Sequence, residues 1–409
     1  MGRIAIIGTL DTKGAEHAFL AERLRRRGHE PLLIDVGTGG PPTVAPSLTR
    51  EDVAREGGLD LDAVVARQDR GAAVAAMASA IPTVLKRLAA SSEIDGVISL
   101  GGGGGTAIAT AGMRALPIGF PKVMVSTLAT ANPAGYVGES DIVMIPSVVD
   151  IAGLNRVSRL VLTRAAGAIC GMVEASVDIA SETAADRPLI AASMFGNTTA
   201  CVERARGVCE AAGYEVLVFH ATGTGGRTME SLIASGIVAG VLDITTTEWA
   251  DELVGGILSA GPRRLEGAAA AGVPAIVVPG CLDMVNFGAP ETVPARFAGR
   301  TFYRHNPQVT LMRTTPEECR ELGRILAEKL NASRGPVTVL LPLRGISVIS
   351  LEGGAFHDPD ADRALFAALK GGLRPGISVI ECDNAINDAP FAERCAGELL
   401  KLIGIKAEP

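Results

Sequence analysis

The sequence predicts an α/β protein built from two Rossmann-like subdomains, each with a mainly parallel sheet. Short runs of branched apolar residues alternate with longer alanine-rich segments, which is the pattern of buried parallel strands and covering helices. The alternation restarts after residues 181–188. A chain of 409 residues is also long enough for two to three domains.

A loose internal repeat relates the two halves. In the first half, Gly-His-Glu at 28–30 precedes a strand that leads into Gly-Thr-Gly-Gly at 37–40. In the second half, Gly-Tyr-Glu at 213–215 precedes a strand that leads into the same four residues at 223–226. Glycine-rich turns common to all doubly wound domains are the alternative explanation. We favour the repeat and expect domains at 1–184 and 185–409.

The strands are predicted in order from their apolar runs. In the first half they are RIAIIG (3–8), PLLIDV (31–36), DGVISL (95–100), KVMVST (122–127) and DIVMIP (141–146). In the second half they are LIAASM (189–194), YEVLVF (214–219), VAGVLDI (238–244), PAIVVPG (274–280), VTLMRTT (309–315), VTVLLPL (337–343) and GISVIEC (376–382). A helix is expected from about Pro390. Residues 279–308 show no periodicity, which predicts a functional loop or lid.

Composition excludes several classes of protein. A net charge of −7 and 3% aromatic residues argue against nucleic-acid binding. Seven scattered cysteines without a Cys-x-x-Cys pair argue against a disulfide framework and a structural zinc site, and favour a reducing cytosol. The longest apolar stretch, around 72–85, is interrupted by Pro82 and is too short to span a bilayer. With no signal peptide pattern, a cytoplasmic location away from membranes is expected.

Five consecutive glycines interrupt the sequence SLGGGGGTAIAT (99–110), between a predicted strand and a predicted helix. Glycine costs a helix or strand roughly 0.5–1 kcal/mol relative to alanine. Glycines at such a position can turn through positive φ and direct amide N–H groups at an anion, assisted by the helix N-terminus. The alternative is a tight turn against a neighbour, for which one or two glycines suffice. The predicted phosphate contacts are Gly101, Gly102, Gly103, Gly104, Gly105 and Thr106.

The glycine run matches no standard nucleotide fingerprint. It lacks the Gly-Lys-Ser/Thr of a Walker A loop, and Thr106 stands where a Gly-x-Gly-x-x-Gly motif ends. The following strand ends without an acidic residue, which disfavours NAD there. A minor alternative is a dinucleotide site at GTLDTKG (8–14), where Asp35 supplies the acid but glycines are few.

Two neighbouring segments supply further candidate contacts. Lys13 lies at a helix start, where a cation opposes the helix dipole unless a phosphate is bound nearby. Equally, Asp11 caps that helix and Lys13 points to water. Thr9 and Lys13 are candidate contacts from this loop, and Thr127 is one from the hydroxyl-rich segment 126–141.

The second half offers candidate catalytic residues. Asp243 ends a strand and Glu248 and Asp251 follow, a set able to hold Mg²⁺ through water or to act as acid or base. A helix capping box is the alternative for Glu248. His305 lies in the least periodic context of the five histidines and is the candidate catalytic histidine. No zinc-binding spacing occurs, so we predict no metal site of the protein's own.

Several long passages resemble the Tm-one-like family, which is built around the ATP-binding domain of the tomato mosaic virus resistance protein. They are GTLDTKGAE, SLGGGGGT, YVGESDIVMIPSVVDIAGLNRVS, VLDITTTEWADELVGG, PGCLDMVNFG, HNPQVTLMRTT and INDAPFAE. The resemblance implies two Rossmann-like subdomains, ATP binding and self-association as a homodimer or higher oligomer. It supports Gly101–Gly105 and Thr106 as nucleotide contacts and assigns no reaction.

Two functional hypotheses follow. The first is an ATP-binding protein, with the phosphates on Gly101–Gly105 and the ligand shared, in a cleft between the two subdomains, with Asp243, Glu248 or His305. Its rival places the nucleotide wholly within the first half. The second hypothesis is an enzyme acting on a small phosphorylated or carboxylate metabolite, such as a sugar acid, through those strand-end residues.

Overall fold

The structure, a computed structural model, describes residues 2–182 and 187–404, and only the backbone of residues 177–182. It divides into two compact units, unit 1 (Met1–Asp186) and unit 2 (Arg187–Pro409). The predicted boundary between residues 184 and 185 lies outside the described residues.

Unit 1 contains a five-stranded parallel sheet in the order β2-β1-β3-β4-β5. Its strands are β1 (Arg3–Gly8), β2 (Glu30–Asp35), β3 (Gly96–Gly101), β4 (Lys122–Ser126) and β5 (Val143–Pro146). Its helices are α1 (Leu10–Arg25), α2 (Arg50–Glu56), α3 (Leu61–Ala66), α4 (Arg70–Ala90), α5 (Gly103–Arg114), α6 (Ala134–Val137) and α7 (Arg156–Glu182).

Helices cover both faces of this sheet, and its interior strand β1 is apolar at four consecutive positions, from Ile4 to Ile7. Ile4 and Ile6 of β1 belong to a core that includes α1 and α7. Ala5 and Ile7 belong to the opposite core, with α4 and α5. Alternate residues of a strand point to opposite faces, so β1 is buried on both.

Helix α4 runs through Pro82, and the expectation that this proline interrupts the apolar stretch was wrong. Met77, Ile81 and Leu85 of α4 are buried in the unit 1 core. Within the described residues, α4 is the one helix long and apolar enough to cross a membrane, judged by length and composition alone. Buried core helices of globular domains meet the same test.

Unit 2 contains a six-stranded parallel sheet in the order β14-β13-β9-β8-β6-β7. Its strands are β6 (Leu189–Met194), β7 (Glu215–His220), β8 (Val238–Thr245), β9 (Ala275–Gly280), β13 (Val337–Pro342) and β14 (Ser378–Cys382). Its helices are α8 (Thr199–Ala211), α9 (Thr224–Ala234), α10 (Glu248–Val254), α11 (Glu266–Ala271), α12 (Pro316–Asn331), α13 (Pro359–Gly372) and α14 (Ala389–Gly404).

A small antiparallel sheet interrupts this pattern. Its order is β10-β12-β11, formed by β10 (Met284–Phe287), β11 (Phe302–Asn306) and β12 (Val309–Arg313). Two of these strands lie within residues 279–308, so that segment is not the unstructured loop expected from its lack of periodicity. Short strands that pair locally leave little periodic signal.

The two units share one strand order. When only the strands of each parallel sheet are numbered, the first five lie in the order 2-1-3-4-5, as β2-β1-β3-β4-β5 and as β7-β6-β8-β9-β13. Both units are therefore mostly parallel, Rossmann-like α/β structures. In this order the first and third strands are adjacent while their connections leave in opposite directions, which opens a crevice at their carboxyl ends.

Candidate functional site

A cavity of about 750 Å³ opens at the carboxyl end of the unit 1 sheet. Residues after β1, after β2 and at the end of β3 line it, so it lies at the switch point between the first and third strands. The end of α3, the start of α4 and residues 150–151 complete the wall. Every lining residue belongs to unit 1. We call this space the unit 1 cavity.

The glycine run forms one wall of the unit 1 cavity. Gly101 ends β3, Gly102 is the N-cap of α5, and Gly103–Gly105 form its first turn. None of the five has a positive φ, so the expected left-handed turn is absent. The chain passes from strand to helix through extended and helical conformations that any residue adopts.

Most of these glycines are not required by the protein's own packing. A Cβ on Gly103 would come no nearer than 3.9 Å to another atom, and a Cβ on Gly102 or Gly105 no nearer than 3.7 Å. These are ordinary contacts. Gly101 is constrained, because its Cβ would lie 3.0 Å from the Cα of Gly105. The absence of side chains at 102, 103 and 105 thus exposes the backbone at the cavity wall, and the packing of the fold does not require it.

The N-terminus of α5 presents unpaired amides at this wall. The first intrahelical bond is donated by the Thr106 N–H to the Gly102 carbonyl, at 2.8 Å. The N–H groups of Gly103–Gly105 precede that bond and have no intrahelical acceptor. The N-cap residue provides no side-chain hydrogen bond to these N–H groups, and the first turn of α5 contains no acidic residue. This helix end is positively polarised and open to an anion.

The structure does not bring the two predicted threonines to the cavity wall. Thr106 is buried, and its Oγ1 lies 2.7 Å from the Ser126 hydroxyl between β3 and β4. Thr127 donates its N–H to the Gly101 carbonyl at 3.3 Å, and its side chain lies beside Gly102. Neither residue lines the cavity. Thr9 and Lys13, in contrast, both do.

Residues 9–13, here called the cavity turn, form a separate helical turn at the start of α1. Lys13 has the non-helical angles φ −126° and ψ 23°, which kink the helix there. The cause is Thr43, whose N–H and hydroxyl both donate to the Leu10 carbonyl at 2.9 Å. A Cβ on Gly14 would overlap the Thr43 hydroxyl, so Gly14 admits this insertion.

Lys13 brings a positive charge to the unit 1 cavity. It lines the cavity and forms no ion pair with any other residue in the described part of the chain. Arg70, in the first turn of α4, also lines the cavity and is likewise without an ion pair there. A cation near a helix N-terminus opposes the helix dipole, and here the carboxylates of Asp11, Asp69 and Asp150 line the same cavity.

Two acidic residues of this region, Asp35 and Asp11, bind backbone amides near the start of α1. Asp35 is buried, and its Oδ1 accepts from the N–H groups of Leu10 at 3.1 Å and Gly37 at 2.9 Å. Burial raises the pKa of Asp35, and the residue does not line the cavity. Asp11 accepts through Oδ2 from Gly39 at 2.8 Å. The carboxylate expected to hold a dinucleotide ribose therefore stabilises the start of α1 instead.

In unit 2 the predicted catalytic carboxylates form a buried ion-pair cluster around Arg264. The guanidinium donates to both oxygens of Asp243 at 2.6 Å and through Nε to Glu248 at 2.6 Å. Glu248 also accepts from the N–H groups of Gly223 at 2.7 Å and Gly226 at 3.1 Å, at the start of α9. It thus caps α9 and forms no capping box on its own helix. Sequence reasoning missed Arg264 because an isolated arginine carries no spacing signal.

The remaining candidates of unit 2 lie in different environments. His305 is on β11, a strand that is exposed along its length. Asp251 is buried, and its Oδ2 accepts from the Asn286 amide at 2.7 Å. Burial raises the pKa of Asp251 to about 7. Within the described residues, no group of three or more His, Cys, Asp or Glu side chains is arranged to hold a metal ion.

Comparisons with known families match both units. Residues 2–178 match the family described as Uncharacterised protein family (UPF0261) N-terminal domain, and residues 187–403 match its C-terminal domain. A UPF0261 protein of Clostridium tetani is 48% identical over 402 residues, covering 98% of this chain and 99% of that protein. A UPF0261 protein of Rhizobium meliloti is 51% identical over 399 residues, covering 96% and 97%.

A plant protein and a solved structure show more distant similarity. The ToMV resistance protein Tm-1(GCR237) of Solanum lycopersicum is 38% identical over 421 residues, covering 98% of this chain and 56% of the plant protein. MurG of Acinetobacter baumannii aligns with 98% of this chain at 10% identity and a TM-score of 0.23, a likeness that carries no functional inference. The chain belongs to the UPF0261 family and contains both of its domains.

Proposed function

We propose that unit 1 binds a nucleotide, with ATP as the first candidate, and that the phosphates contact the amides of Gly102–Gly105. The observation that carries this proposal is the bare wall of the unit 1 cavity. Gly102, Gly103 and Gly105 lack side chains that the fold has room for, at an uncapped helix N-terminus. Bare backbone at such a position lets phosphate oxygens approach the N–H groups closely.

The charges of the cavity fit a phosphate ligand. Lys13 and Arg70 line the cavity and lack ion-pair partners among the described residues. A bound phosphate would give Lys13 and Arg70 an ion-pair partner and reverse the unfavourable sign of Lys13 near a helix start. The same cavity also contains the carboxylates of Asp11, Asp69 and Asp150. The resemblance to the Tm-one-like family adds ATP as the specific ligand.

The rest of the cavity fits the nucleoside. Val36, Val65, Val74 and Ile108 supply apolar surface for a planar base, and a volume of about 750 Å³ falls within the range of ligand pockets. Mg²⁺ would enter together with a triphosphate, because this ion usually binds through one or two carboxylates plus substrate phosphates. Asp11, Asp69 and Asp150 line the same cavity and are the available carboxylates.

The enzyme hypothesis receives no comparable support. Asp243 and Glu248 use their oxygens within the Arg264 cluster and at the start of α9, which is the arrangement of a structural ion-pair network. We therefore propose binding and no reaction. Self-association and a cytoplasmic location stay predictions, the first testable by light scattering of the purified chain.

Calorimetric titration with ATP, ADP and inorganic phosphate, each with and without Mg²⁺, tests the proposal. We expect ATP to bind and Gly103→Val to weaken binding at least about tenfold, since its side chain would fill the phosphate position. Gly171→Val is the matched control, because a Cβ on this exposed glycine of α7 meets nothing within 4 Å. Absence of ATP binding, or equal affinity in a folded Gly103→Val variant, would overturn the proposal.

A further inference from the structure

We propose that His17 is a positioning residue for the ligand site, holding the cavity turn in the conformation that presents Thr9 and Lys13 to the ligand. The inference rests on the proposed nucleotide site and adds to it a residue that lies outside the cavity. His17 is fully buried and does not line the cavity. Its effect on a ligand would therefore be transmitted through the backbone it contacts.

The His17 ring contacts the backbone on both sides of the cavity turn. Its Nδ1 lies 2.7 Å from the Lys13 carbonyl, at the end of the turn. Its Nε2 lies 3.1 Å from the Ile7 carbonyl, two residues before the turn begins. One buried ring thus spans the segment that carries four cavity-lining residues, Thr9, Asp11, Thr12 and Lys13.

The neighbouring glycine shows how closely the ring packs. A Cβ on Gly8 would overlap the imidazole, so the last residue of β1 must lack a side chain for His17 to occupy this place. Gly8 has no positive φ that would otherwise require glycine. The two glycines that flank the motif GTLDTKG therefore have separate partners: Gly8 accommodates His17, and Gly14 accommodates Thr43.

The contact between His17 and the Lys13 carbonyl is the one that links His17 to the ligand site. Lys13 occupies the kink, and its carbonyl accepts from the His17 side chain. Thr43 fixes the start of the turn through the Leu10 carbonyl, and His17 fixes its end. A neutral imidazole has one N–H and can donate to only one of these two carbonyls. We place the proton on Nδ1, which is closer to its carbonyl, so the bond goes to Lys13 and the Ile7 contact is not a hydrogen bond.

Because the proton is placed on Nδ1, two substitutions of similar size are expected to have different effects. The amide of His17→Asn can place its N–H near the position of Nδ1 and restore the bond to Lys13, whereas His17→Leu fills the space without a donor. Leu24→Ala serves as the control, since Leu24 is buried in the same helix beyond the kink and its loss destabilises the core without touching the cavity turn.

Affinity for ATP and hydrogen exchange of the cavity turn test the proposal in the full chain. We expect His17→Leu to weaken ATP binding about tenfold and His17→Asn to stay within about threefold of wild type. Leu24→Ala should bind as wild type does. The amides of Thr12 and Lys13, which donate to the Thr9 carbonyl, should exchange faster in His17→Leu and be restored in His17→Asn.

The two readouts separate this inference from the proposed function. If the wild type does not bind ATP, the proposed function fails, and faster exchange in His17→Leu alone still supports the role of His17 in positioning the turn. If the wild type binds ATP and folded His17→Leu retains both its affinity and its exchange rates, the role of His17 is wrong. Equal losses in His17→Asn and His17→Leu would also overturn it, because the hydrogen bond would then have no effect.

Discussion

The glycines near the unit 1 cavity occur there for two different physical reasons. Gly8, Gly14 and Gly37 lack side chains because His17, Thr43 and Asp11, respectively, lie where a Cβ would be. Gly103 has no such neighbour. The sequence alone shows the glycines but not this distinction, since the three side chains come from distant positions or from a kinked helix. The glycine run lies between a strand and a helix as predicted, and its role as an anion loop stays a prediction. The expected positive φ angles were not found.

Lys13 provides the first prediction at this scale. Lys13→Ala should weaken ATP binding about tenfold, because a charge-assisted contact to phosphate is lost. The free energy of unfolding without ligand should change by less than about 0.5 kcal/mol, since the lysine has no ion-pair partner in the described residues. Calorimetry measures the affinity for ATP, and urea denaturation measures the free energy of unfolding. Lys86→Ala, on the exposed side of α4, should change neither, and unchanged ATP affinity in Lys13→Ala would contradict the prediction.

Asp251 provides a prediction about pH. Burial raises its pKa from 3.8 to about 7, so the unfolded chain loses this proton at a lower pH than the folded chain does. The free energy of unfolding should therefore fall as the pH rises from about 4 to 7, by up to about 1.4 kcal/mol per pH unit from this group. Asp283, with a pKa raised by burial to about 6, adds a slope of the same sign.

The neutral variant Asp251→Asn should reduce that slope without removing it. Urea denaturation at several pH values between 4 and 8 measures the effect. Asp383→Asn, which alters an exposed carboxylate paired with Arg344, should keep the wild-type slope over this range. A wild-type slope in Asp251→Asn would show that Asp251 is already ionised throughout.

At the scale of elements, each of the two Gly-Thr-Gly-Gly loops donates backbone N–H groups to a carboxylate of its own unit. In unit 1 the loop after β2 donates the Gly39 N–H to Asp11, and in unit 2 the loop after β7 donates the Gly223 N–H to Glu248. The two units differ after their third strands. Unit 1 has the bare glycines of α5 there, whereas unit 2 has Thr245–Thr247 and the paired Glu248.

This comparison predicts that Glu248 is structural. Glu248→Gln should lower the free energy of unfolding by about 3 kcal/mol, because it weakens a buried ion pair with Arg264 and removes a charged acceptor at the start of α9. Glu393→Gln, in an exposed pair with Arg204, should lower it by less than about 1 kcal/mol. Urea denaturation of both variants decides, and a stable Glu248→Gln with altered ligand affinity would instead favour a functional carboxylate.

The sequence predicted strands and their parallel arrangement well because buried parallel strands are local apolar runs. It failed where an element depends on distant contacts. The kink of α1 needs Thr43, the continuity of α4 through Pro82 needs the core around Met77, and the cluster at Arg264 joins four segments. For the same reason, the sequence did not predict that residues at the start of α4 line the cavity, since they carry no motif.

At the scale of the whole molecule, the cavity and the predicted catalytic residues belong to different units. All residues that line the unit 1 cavity lie between 9 and 151, whereas Asp243, Glu248 and His305 belong to unit 2. A ligand wholly within unit 1 and a ligand shared with unit 2 were both expected from the sequence. The two alternatives differ in which unit the ligand protects, and the proposed site in unit 1 leads to a prediction.

Saturating ATP should slow hydrogen exchange in unit 1 and leave unit 2 unchanged. Binding at 100 times the dissociation constant stabilises the ligand-bound form by about 2.7 kcal/mol, so amides that open with the site should exchange about a hundredfold more slowly. The effect should centre on residues 9–13 and 102–106 and be absent in Gly103→Val. Exchange measured by mass spectrometry with and without ATP provides the test, with unbound protein at the same Mg²⁺ concentration as the control. Ligand-dependent protection of peptides containing Glu248 or His305, together with weaker binding in His305→Ala, would instead support a ligand that reaches unit 2, because His305 is exposed and its loss does not disturb a core.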